Sequence, residues 1–297
     1  MILTNTIKCF SIFILFGCQT PSNNSNKFVE SVGFTQTNVS PDPKPDKSII
    51  NYEGNSIKTR FNPPEGYERI SVEPNSYYEY LRTLPLKPAG SLVTIYDGST
   101  KPNHEVYDAV VDLEIGNKDL HQCADAIMRL RAEYLWKNKQ YDQIHFNFTN
   151  GFRVDYTEWM KGKRISVKGN TTKWYNATSP SNTYTDFWSY MEIVFTYAGT
   201  LSLSKKLIPV SEDSIQIGDI FIYGGSPGHG VVIVDMVENK STGEKLFLLA
   251  QSYMPAQEIQ ILKNPNDSLI SPWYRFDSEL LTTPEWRFRR PIPVQFE

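Results

Sequence analysis

Three neighbouring apolar runs constrain the fold of this chain more than any other part of its sequence. They cover residues 220–223, 229–237 and 245–251, and each is rich in β-branched or aromatic residues. The connections are a glycine-rich loop at 224–228 and a turn near 239–243. Connections this short join antiparallel strands, because a parallel pair needs a much longer crossover. The stretch therefore predicts an antiparallel sheet.

The clearest helix is predicted over residues 120–137. Its apolar residues recur at spacings of three and four and form one stripe: Leu120, Cys123, Ile127, Leu130 and Tyr134. The charged residues lie largely off that stripe, on the side expected to face solvent: Arg129, Arg131, Glu133 and Lys137. Asp119 and Gln122, three residues apart, predict a capping box at the start of the helix.

The remaining pattern alternates short helices and strands. A short helix is expected at 76–84, strands at 92–96 and 106–115, a hairpin pairing 144–148 with 152–156 across Asn150-Gly151, and a buried helix at 190–201. Residues 159–190 mix aromatic and polar side chains and are expected to form long loops covering one face. The combination predicts an α+β fold in which helices pack on an antiparallel sheet.

The N-terminal segment has the features of a bacterial lipoprotein signal. An apolar run at residues 9–16 is too short to span a bilayer but fits the hydrophobic region of a signal peptide. The run ends in Gly17-Cys18, which resembles a lipobox, where cleavage leaves the cysteine as a lipidated N-terminus. A plain signal peptide or a short anchor is the alternative. Gln19 stands where an Asp would resemble an inner-membrane retention signal, so an outer-membrane lipoprotein facing the periplasm or the surface is expected.

These features divide the chain into three parts. Residues 1–18 are the predicted signal peptide with its lipidation site at Cys18. Residues 19–48 are rich in Ser, Asn and Pro and are expected to form a disordered tether. Residues 49–297 are the predicted single α+β domain. Lipidation at Cys18 would leave Cys123 as the one unmodified thiol.

Charge and composition exclude some partners. The net charge is -3, the pI is about 5.9, and no run is dense in Lys or Arg. A nucleic-acid binder is therefore not expected. We expect a membrane partner through the lipid anchor, no cofactor, no metal and a monomeric chain.

Cys123, His229 and Gln251 are the candidate catalytic residues. Cys123 lies in the first turn of its helix, where the positive end of the helix dipole lowers the pKa of a thiol. His229 begins a strand after a loop whose small residues leave room for a substrate backbone. A hairpin centred near Ser241 puts Gln251 opposite Val231, within about one pleat of His229. Asp235, the competing partner of the histidine, lies about 20 Å away along the same strand, so Gln251 is preferred.

This arrangement follows the logic of papain-like cysteine hydrolases. The thiolate attacks a carbonyl carbon, the imidazole transfers the proton, and the third residue orients the imidazole. Backbone N–H groups near Cys123, and the Gln122 side chain, are the expected oxyanion donors. Gly228, Tyr253 and Gln257 are the further candidates for contacts with substrate.

Two families resemble parts of this chain. Residues 218–222 and 228–234 are similar to the histidine-bearing strand of NlpC/P60-type cell-wall peptidases, although Gln122 and Ala124 flank the cysteine here in place of Asp and Ser. The strings at 119–135, 228–231 and 249–257 resemble the bacterial DUF4846 family over most of residues 60–295. That family has no assigned function, so the resemblance implies no substrate. The peptidase similarity implies hydrolysis of an amide bond, in peptidoglycan peptides for example.

The candidate catalytic residues also fit roles without catalysis. Cys123 lies on the apolar stripe of its helix, so an inert core thiol accounts for it equally well. His121, Cys123 and His229 offer metal-ligand types without a recognised ligand spacing. An aromatic wall that stacks on sugars is a further hypothesis, with these members: Trp159, Trp174, Tyr175 and Trp188. The alternative function is therefore a catalytically inactive lipoprotein of the same fold that binds a carbohydrate or a peptide.

Overall fold

The strand that carries His229 is the centre of the fold. The computed structural model describes residues 48–297. Its α-helices are Ile57–Arg60 (α1), Tyr77–Arg82 (α2), Cys123–Lys137 (α3), Tyr156–Met160 (α4), Tyr184–Tyr197 (α5) and Thr200–Ser204 (α6). Its strands are Glu68–Arg69 (β1), Tyr107–Val110 (β2), His145–Asn147 (β3), Arg153–Asp155 (β4), Lys163–Lys168 (β5), Thr171–Asn176 (β6), Ile208–Pro209 (β7), Ile220–Tyr223 (β8), His229–Glu238 (β9), Lys245–Gln251 (β10), Gln260–Leu262 (β11), Tyr274–Arg275 (β12), Leu280–Thr282 (β13), Arg287–Arg289 (β14) and Val294–Gln295 (β15).

A single antiparallel sheet contains most of these strands. Its order is β2-β11-β10-β9-β8-β15-β7, with β1 also paired to β9 and β12 to β10. Smaller hairpins pair β3 with β4, β5 with β6 and β13 with β14. Helices and an antiparallel sheet together confirm the α+β class.

The core forms where α3 packs on β9. Every residue of β9 except the last is buried, which fits a central strand covered on both faces. At Gly230, a Cβ atom would lie 2.9 Å from Ile127 Cδ1 on α3, so glycine lets the helix approach the strand closely. This contact fixes the first two turns of α3 against the beginning of β9.

The predicted register of β9 and β10 is confirmed. Leu249 pairs with Ile233 and Ala250 with Val232, as expected of a hairpin centred near Ser241. A bulge lies between Leu248 and Leu249, and on its side nearer the turn the pairing is shifted by one residue, so that Leu248 pairs with Asp235. The register continues towards Gln251 and places this residue at the end of β10 next to the start of β9.

Two predicted elements are wrong. Residues 92–96 form isolated bridges and not a strand, since Thr94 pairs with Thr100 and Ile95 with Gln257. Residues 159–190 are not long loops: they contain the β5–β6 hairpin and the first half of α5. The helix predicted at 190–201 is the second half of α5 followed by α6, which are separated at Ala198 and Gly199.

The start and the charged face of α3 also differ from the prediction. The helix begins at Cys123, and the backbone N–H of its N-cap Gln122 donates to Asp125 Oδ2 at 3.1 Å. The predicted solvent-facing residues Arg129 and Glu133 are buried, because α5 covers this side of α3. The Arg129 guanidinium lies 4.5 Å from the centre of the Trp188 ring. Arg129 Nε also lies 3.4 Å from Glu133 Oε1, which accepts from the Tyr184 hydroxyl at 2.6 Å, so each buried charge is compensated locally.

Some predictions lie outside the described residues. The signal peptide at 1–18, the lipidation site at Cys18 and all but the last residue of the tether at 19–48 precede residue 48. Residues 48–297 fall within one compact unit. None of their helices combines the length and apolar character needed to cross a membrane.

Candidate functional site

Cys123 is the first residue of α3 and lies at the edge of a cavity. Its residue surface is only 7% exposed. Burial raises the pKa of the thiol, while the backbone amides of Gly230 and Ala124 act in the opposite direction. The nearby Asp125 carboxyl adds to the rise. In this resting structure the thiol is therefore neutral, contrary to the lowered pKa expected from the helix dipole alone.

The cavity beside Cys123 has a volume of about 510 Å³. The first turn of α3, the start of α6 and the glycine-rich loop line it, with these residues among them: Gln122, Cys123, Asp125, Thr200, Gly228 and Met254. Among the described residues, its acidic side chains are Asp119 and Asp125, and burial raises the pKa of Asp125 well above its ordinary value. The cavity therefore has a mixed polar and apolar lining, and no basic side chain of the described residues lines it.

The glycine-rich loop is packed against α6. A Cβ atom at Gly228 would lie 2.2 Å from Thr200 Oγ1, and one at Gly224 would lie 2.1 Å from Ser204 Oγ. Gly224 and Gly228 therefore leave room for α6. Residues 225–228 also line the cavity, and the room they leave for a substrate backbone stays a prediction.

His229 is buried, with its residue surface 1% exposed. Its Nε2 lies 2.8 Å from Gln251 Oε1. The rings of Tyr253, Trp286 and Phe288 surround the imidazole at centroid distances of 5.2, 5.3 and 6.0 Å. Burial lowers the pKa of His229 to about 4, and the nearby Lys101 charge contributes in the same direction. The resting imidazole is therefore neutral near pH 7.

Because an amide oxygen only accepts, the contact with Gln251 Oε1 requires a proton on His229 Nε2. The neutral ring then carries its lone pair on Nδ1. Within the described residues, the hydrogen bond of this ring uses Nε2 and leaves Nδ1 without one. An unbonded nitrogen with a free lone pair is what a general base needs.

Cys123 and His229 are related through neighbouring residues and not by a hydrogen bond between their side chains within residues 48–297. Gly230, the residue after His229, presents its backbone amide to the Cys123 thiol. Tyr253 packs on the His229 ring, and a thiolate at Cys123 would raise the pKa of the Tyr253 hydroxyl. Gly228, the residue before His229, lines the same cavity as Cys123.

Gln122 is the side chain predicted to donate to an oxyanion. It lines the cavity next to Cys123, and its Nε2 donates to Asp119 Oδ1 at 3.1 Å. Asp119 Oδ1 also accepts from the Ala256 backbone N–H at 2.7 Å, which anchors the carboxylate. The Gln122 side-chain amide retains a second N–H for a ligand.

Gln257 is not brought to the cavity. It is buried, its Oε1 accepts from Lys101 Nζ and Gln260 Nε2 at 3.0 Å each, and its Nε2 donates to Pro255 O at 2.9 Å. Both ends of its amide are thus used inside the protein. Of the predicted aromatic wall, Trp159 and Trp188 are covered by Arg164 and Arg129 at 4.0 and 4.5 Å from their ring centres.

Two residues of the site were missed in the sequence. Gln251 Nε2 donates to Glu285 Oε2 at 2.6 Å, and Lys101 Nζ donates to the same oxygen at 2.7 Å. Both charged residues lie in loops and in no recognisable motif, so no local sequence signal marks them. Within residues 48–297, no group of three or more His, Cys, Asp or Glu residues is arranged to hold a metal ion.

Comparisons with known proteins give a family and no activity. No curated protein and no solved structure matches the chain. A family profile described as a domain of unknown function, DUF4846, matches residues 57–291. The match covers most of the chain, including both α3 and the strands that carry His229 and Gln251. The chain therefore belongs to the DUF4846 family.

Proposed function

We propose that this chain is a lipid-anchored protein of the bacterial cell envelope whose domain, papain-like in its core, hydrolyses an amide or related acyl bond. Cys123 is the nucleophile, His229 the general base and Gln251 the residue that orients the base. The observation that carries the proposal is the 2.8 Å contact between His229 Nε2 and Gln251 Oε1. It leaves Nδ1 as the basic nitrogen at the point where the strand meets the cysteine-bearing helix.

The proposed reaction starts from a neutral thiol and a neutral imidazole. The Cys123 sulfur forms a bond to the substrate carbonyl carbon while the thiol proton passes to His229 Nδ1. The carbonyl electron pair moves to oxygen, where backbone N–H groups at the start of α3 and Gln122 donate to it. Collapse of this intermediate breaks the C–N bond, and the imidazolium gives its proton to the leaving amine. Water, deprotonated by Nδ1, then hydrolyses the thioester and releases the free thiol and a carboxylic acid.

The neutral pair determines the pH dependence of the proposed reaction. The imidazole acts as a base only when unprotonated, and its folded-state pKa is about 4. Activity limited by this group therefore rises with pH through about 4 and is complete well before pH 7. This differs from a preformed thiolate–imidazolium pair, which loses activity when the imidazolium is deprotonated.

A ligand-binding protein without catalysis is the second candidate. The observation that favours it is the burial of both Cys123 and His229, together with the raised pKa of the thiol. A buried neutral thiol is typical of a structural cysteine. In that case the cavity binds a carbohydrate or a peptide, and Cys123 contributes only packing.

Acylation by p-nitrophenyl acetate separates the two functions. In an enzyme, intact-mass analysis shows acetyl-Cys123 that forms and then hydrolyses, and His229→Ala abolishes both steps. His145→Ala serves as the control because this histidine lies on β3 and is only half-buried. Iodoacetamide labelling from pH 5 to 9 reports whether the thiol is accessible in each variant. Equal acylation of wild type and His229→Ala, or none in either, contradicts the enzyme.

The anchor is tested separately by fractionation. Cys18→Ala is expected to move the protein from the membrane fraction to the soluble fraction, because a lipid-modified cysteine supplies the membrane affinity. Cys9→Ala is the control within the same segment and is expected to leave the protein in the membrane. A wild-type chain found in the soluble fraction contradicts lipidation.

A further inference from the structure

A buried ion pair is hydrogen-bonded to Gln251, one of the proposed catalytic residues. Lys101 and Glu285 are joined at 2.7 Å, with side chains 5% and 14% exposed. The same Glu285 oxygen accepts from Gln251 Nε2 at 2.6 Å, and Gln251 Oε1 contacts His229 Nε2. An unbroken chain of hydrogen bonds therefore runs from Lys101 through Glu285 and Gln251 to the imidazole.

Gln251 alone cannot determine the protonation of His229. An amide has a donor end and an acceptor end of nearly equal size, and either end can face the ring. With the oxygen facing the ring, the proton lies on Nε2 and Nδ1 is basic. With the nitrogen facing the ring, Nε2 must accept, the proton moves to Nδ1, and the proposed base is lost.

Glu285 removes this ambiguity because a carboxylate can only accept. It bonds the Gln251 nitrogen, and the Gln251 oxygen is thereby turned towards His229. The reverse orientation would place the amide oxygen against the Glu285 oxygen, where two acceptors repel each other. Lys101 also donates to Glu285, and Gln257 Oε1 holds Lys101 in place at 3.0 Å.

The hairpin that carries Glu285 also holds the plane of the imidazole. Glu285 lies between β13 and β14, and the next residue, Trp286, packs on His229. Phe288 of β14 stacks on the same ring with an interplanar angle of 27°. One short hairpin therefore positions both the hydrogen bond and the ring face.

We propose that Glu285, paired with Lys101, is a positioning residue that fixes the Gln251 amide and thereby keeps His229 in the tautomer with a basic Nδ1. The inference rests on the proposed function for its catalytic meaning. The tautomer itself is a property of the folded chain and can be measured whether or not the chain is an enzyme.

The test combines 15N NMR of the histidine ring nitrogens with the acylation rate, both on the full chain. His229→Ala assigns the His229 signals. Wild type is expected to show one His229 tautomer, protonated on Nε2. In the double variant Lys101→Met/Glu285→Met, neither charge is left unpaired and Gln251 is free to turn. We expect the Nδ1–H tautomer of His229 to appear. We also expect the acylation rate to fall roughly tenfold: about twofold because only part of the molecules carry the active tautomer, and the rest because the ring is held less firmly.

Two further variants separate positioning from simple stability. Glu285→Gln keeps an oxygen that can accept from both Lys101 and Gln251, so it is expected to retain the Nε2–H tautomer and most of the acylation rate. Arg129→Met/Glu133→Met removes another buried ion pair, 3.4 Å between charged atoms, in the middle of α3. It is expected to lower stability without moving the His229 signals.

The outcomes are distinguishable from failure of the enzyme hypothesis. A single Nε2–H tautomer in Lys101→Met/Glu285→Met overturns the positioning role, whatever the acylation data show. A wild-type ring protonated on Nδ1 overturns it as well. A tautomer change in a chain that is never acylated supports the positioning of His229 and contradicts the hydrolase.

Discussion

An ionisable side chain is buried towards each end of β9, and the two side chains differ in the number of hydrogen bonds that they form. Asp235 is 0% exposed, and its two oxygens accept from Arg69 Nε at 2.8 Å and Arg82 Nε at 2.5 Å. The backbone N–H of Met236 adds a third bond at 2.8 Å. His229, six residues earlier, is bonded at one nitrogen only and lies near a cavity. A fully satisfied charge contributes to stability, whereas an unbonded nitrogen is available for chemistry.

The largest effect on stability is expected at Asp235, whose carboxylate has buried partners on both oxygens. Asp235→Ala leaves two arginines without their buried partner and should lower the free energy of unfolding by about 3–5 kcal/mol. Urea unfolding followed by circular dichroism measures the change. Asp267→Ala is the control, because its ion pair with the half-exposed Arg275 should contribute about 0–1 kcal/mol. Equal losses in the two variants would show that the buried contacts of Asp235 contribute no more to stability than an ion pair at the surface.

The second prediction concerns pH at the His229 end. The folded pKa of His229 is lowered from 6.5 to about 4, so between these values the unfolded chain binds the proton more readily. Its contribution to stability is present above pH 6.5 and is lost as pH falls through about 4. The loss is about 3 kcal/mol once the pH is below both values.

Unfolding measured from pH 8 to 4 tests this contribution by comparing wild type with His229→Gln. Gln cannot be charged, so the variant should lose less stability on acidification. His121, whose pKa burial lowers to about 3, remains in both proteins and supplies the common background. Parallel pH profiles would show that His229 is not buried as a neutral group.

The smallest effect on stability is expected at the cavity. Gln122→Ala removes a hydrogen bond to Asp119 at the exposed surface and should change the free energy of unfolding by less than about 1 kcal/mol. The acylation rate of Cys123 should fall by on the order of 100-fold if Gln122 donates to the oxyanion. Asn138→Ala, which removes a side-chain bond at the opposite end of α3, is the control. Similar acylation rates in both variants would exclude Gln122 as a donor.

The local sequence pattern was sufficient to predict the strands and the pairing around His229. The turn near Asn239 and the apolar runs on both sides determine the register, and no distant residue is needed to place Gln251. The start of α3 was predicted three residues too early, because Asp119 caps nothing and instead accepts from Gln122 and Ala256. That contact depends on a loop far along the chain and leaves no mark near Asp119.

The residues of the site that could not be predicted from the sequence depend on tertiary structure. Lys101 and Glu285 stand far apart in sequence and meet only because β13 and β14 fold back over the end of β9. Arg129 has the spacing of a surface residue on an amphipathic helix, but α5 covers it. Periodicity reports which face of a helix is apolar, and it does not report how many neighbours a charged face acquires.

The β13–β14 hairpin also has a consequence for the order in which the molecule is made. Synthesis proceeds from the N-terminus, so Cys123, His229 and Gln251 leave the ribosome before Glu285, Trp286 and Phe288. Until those last three residues arrive, nothing from the hairpin covers the imidazole or turns the Gln251 amide. Before then Tyr253 is the one of the three rings around His229 that has been made, so the surroundings of the imidazole are complete only after the hairpin has been added.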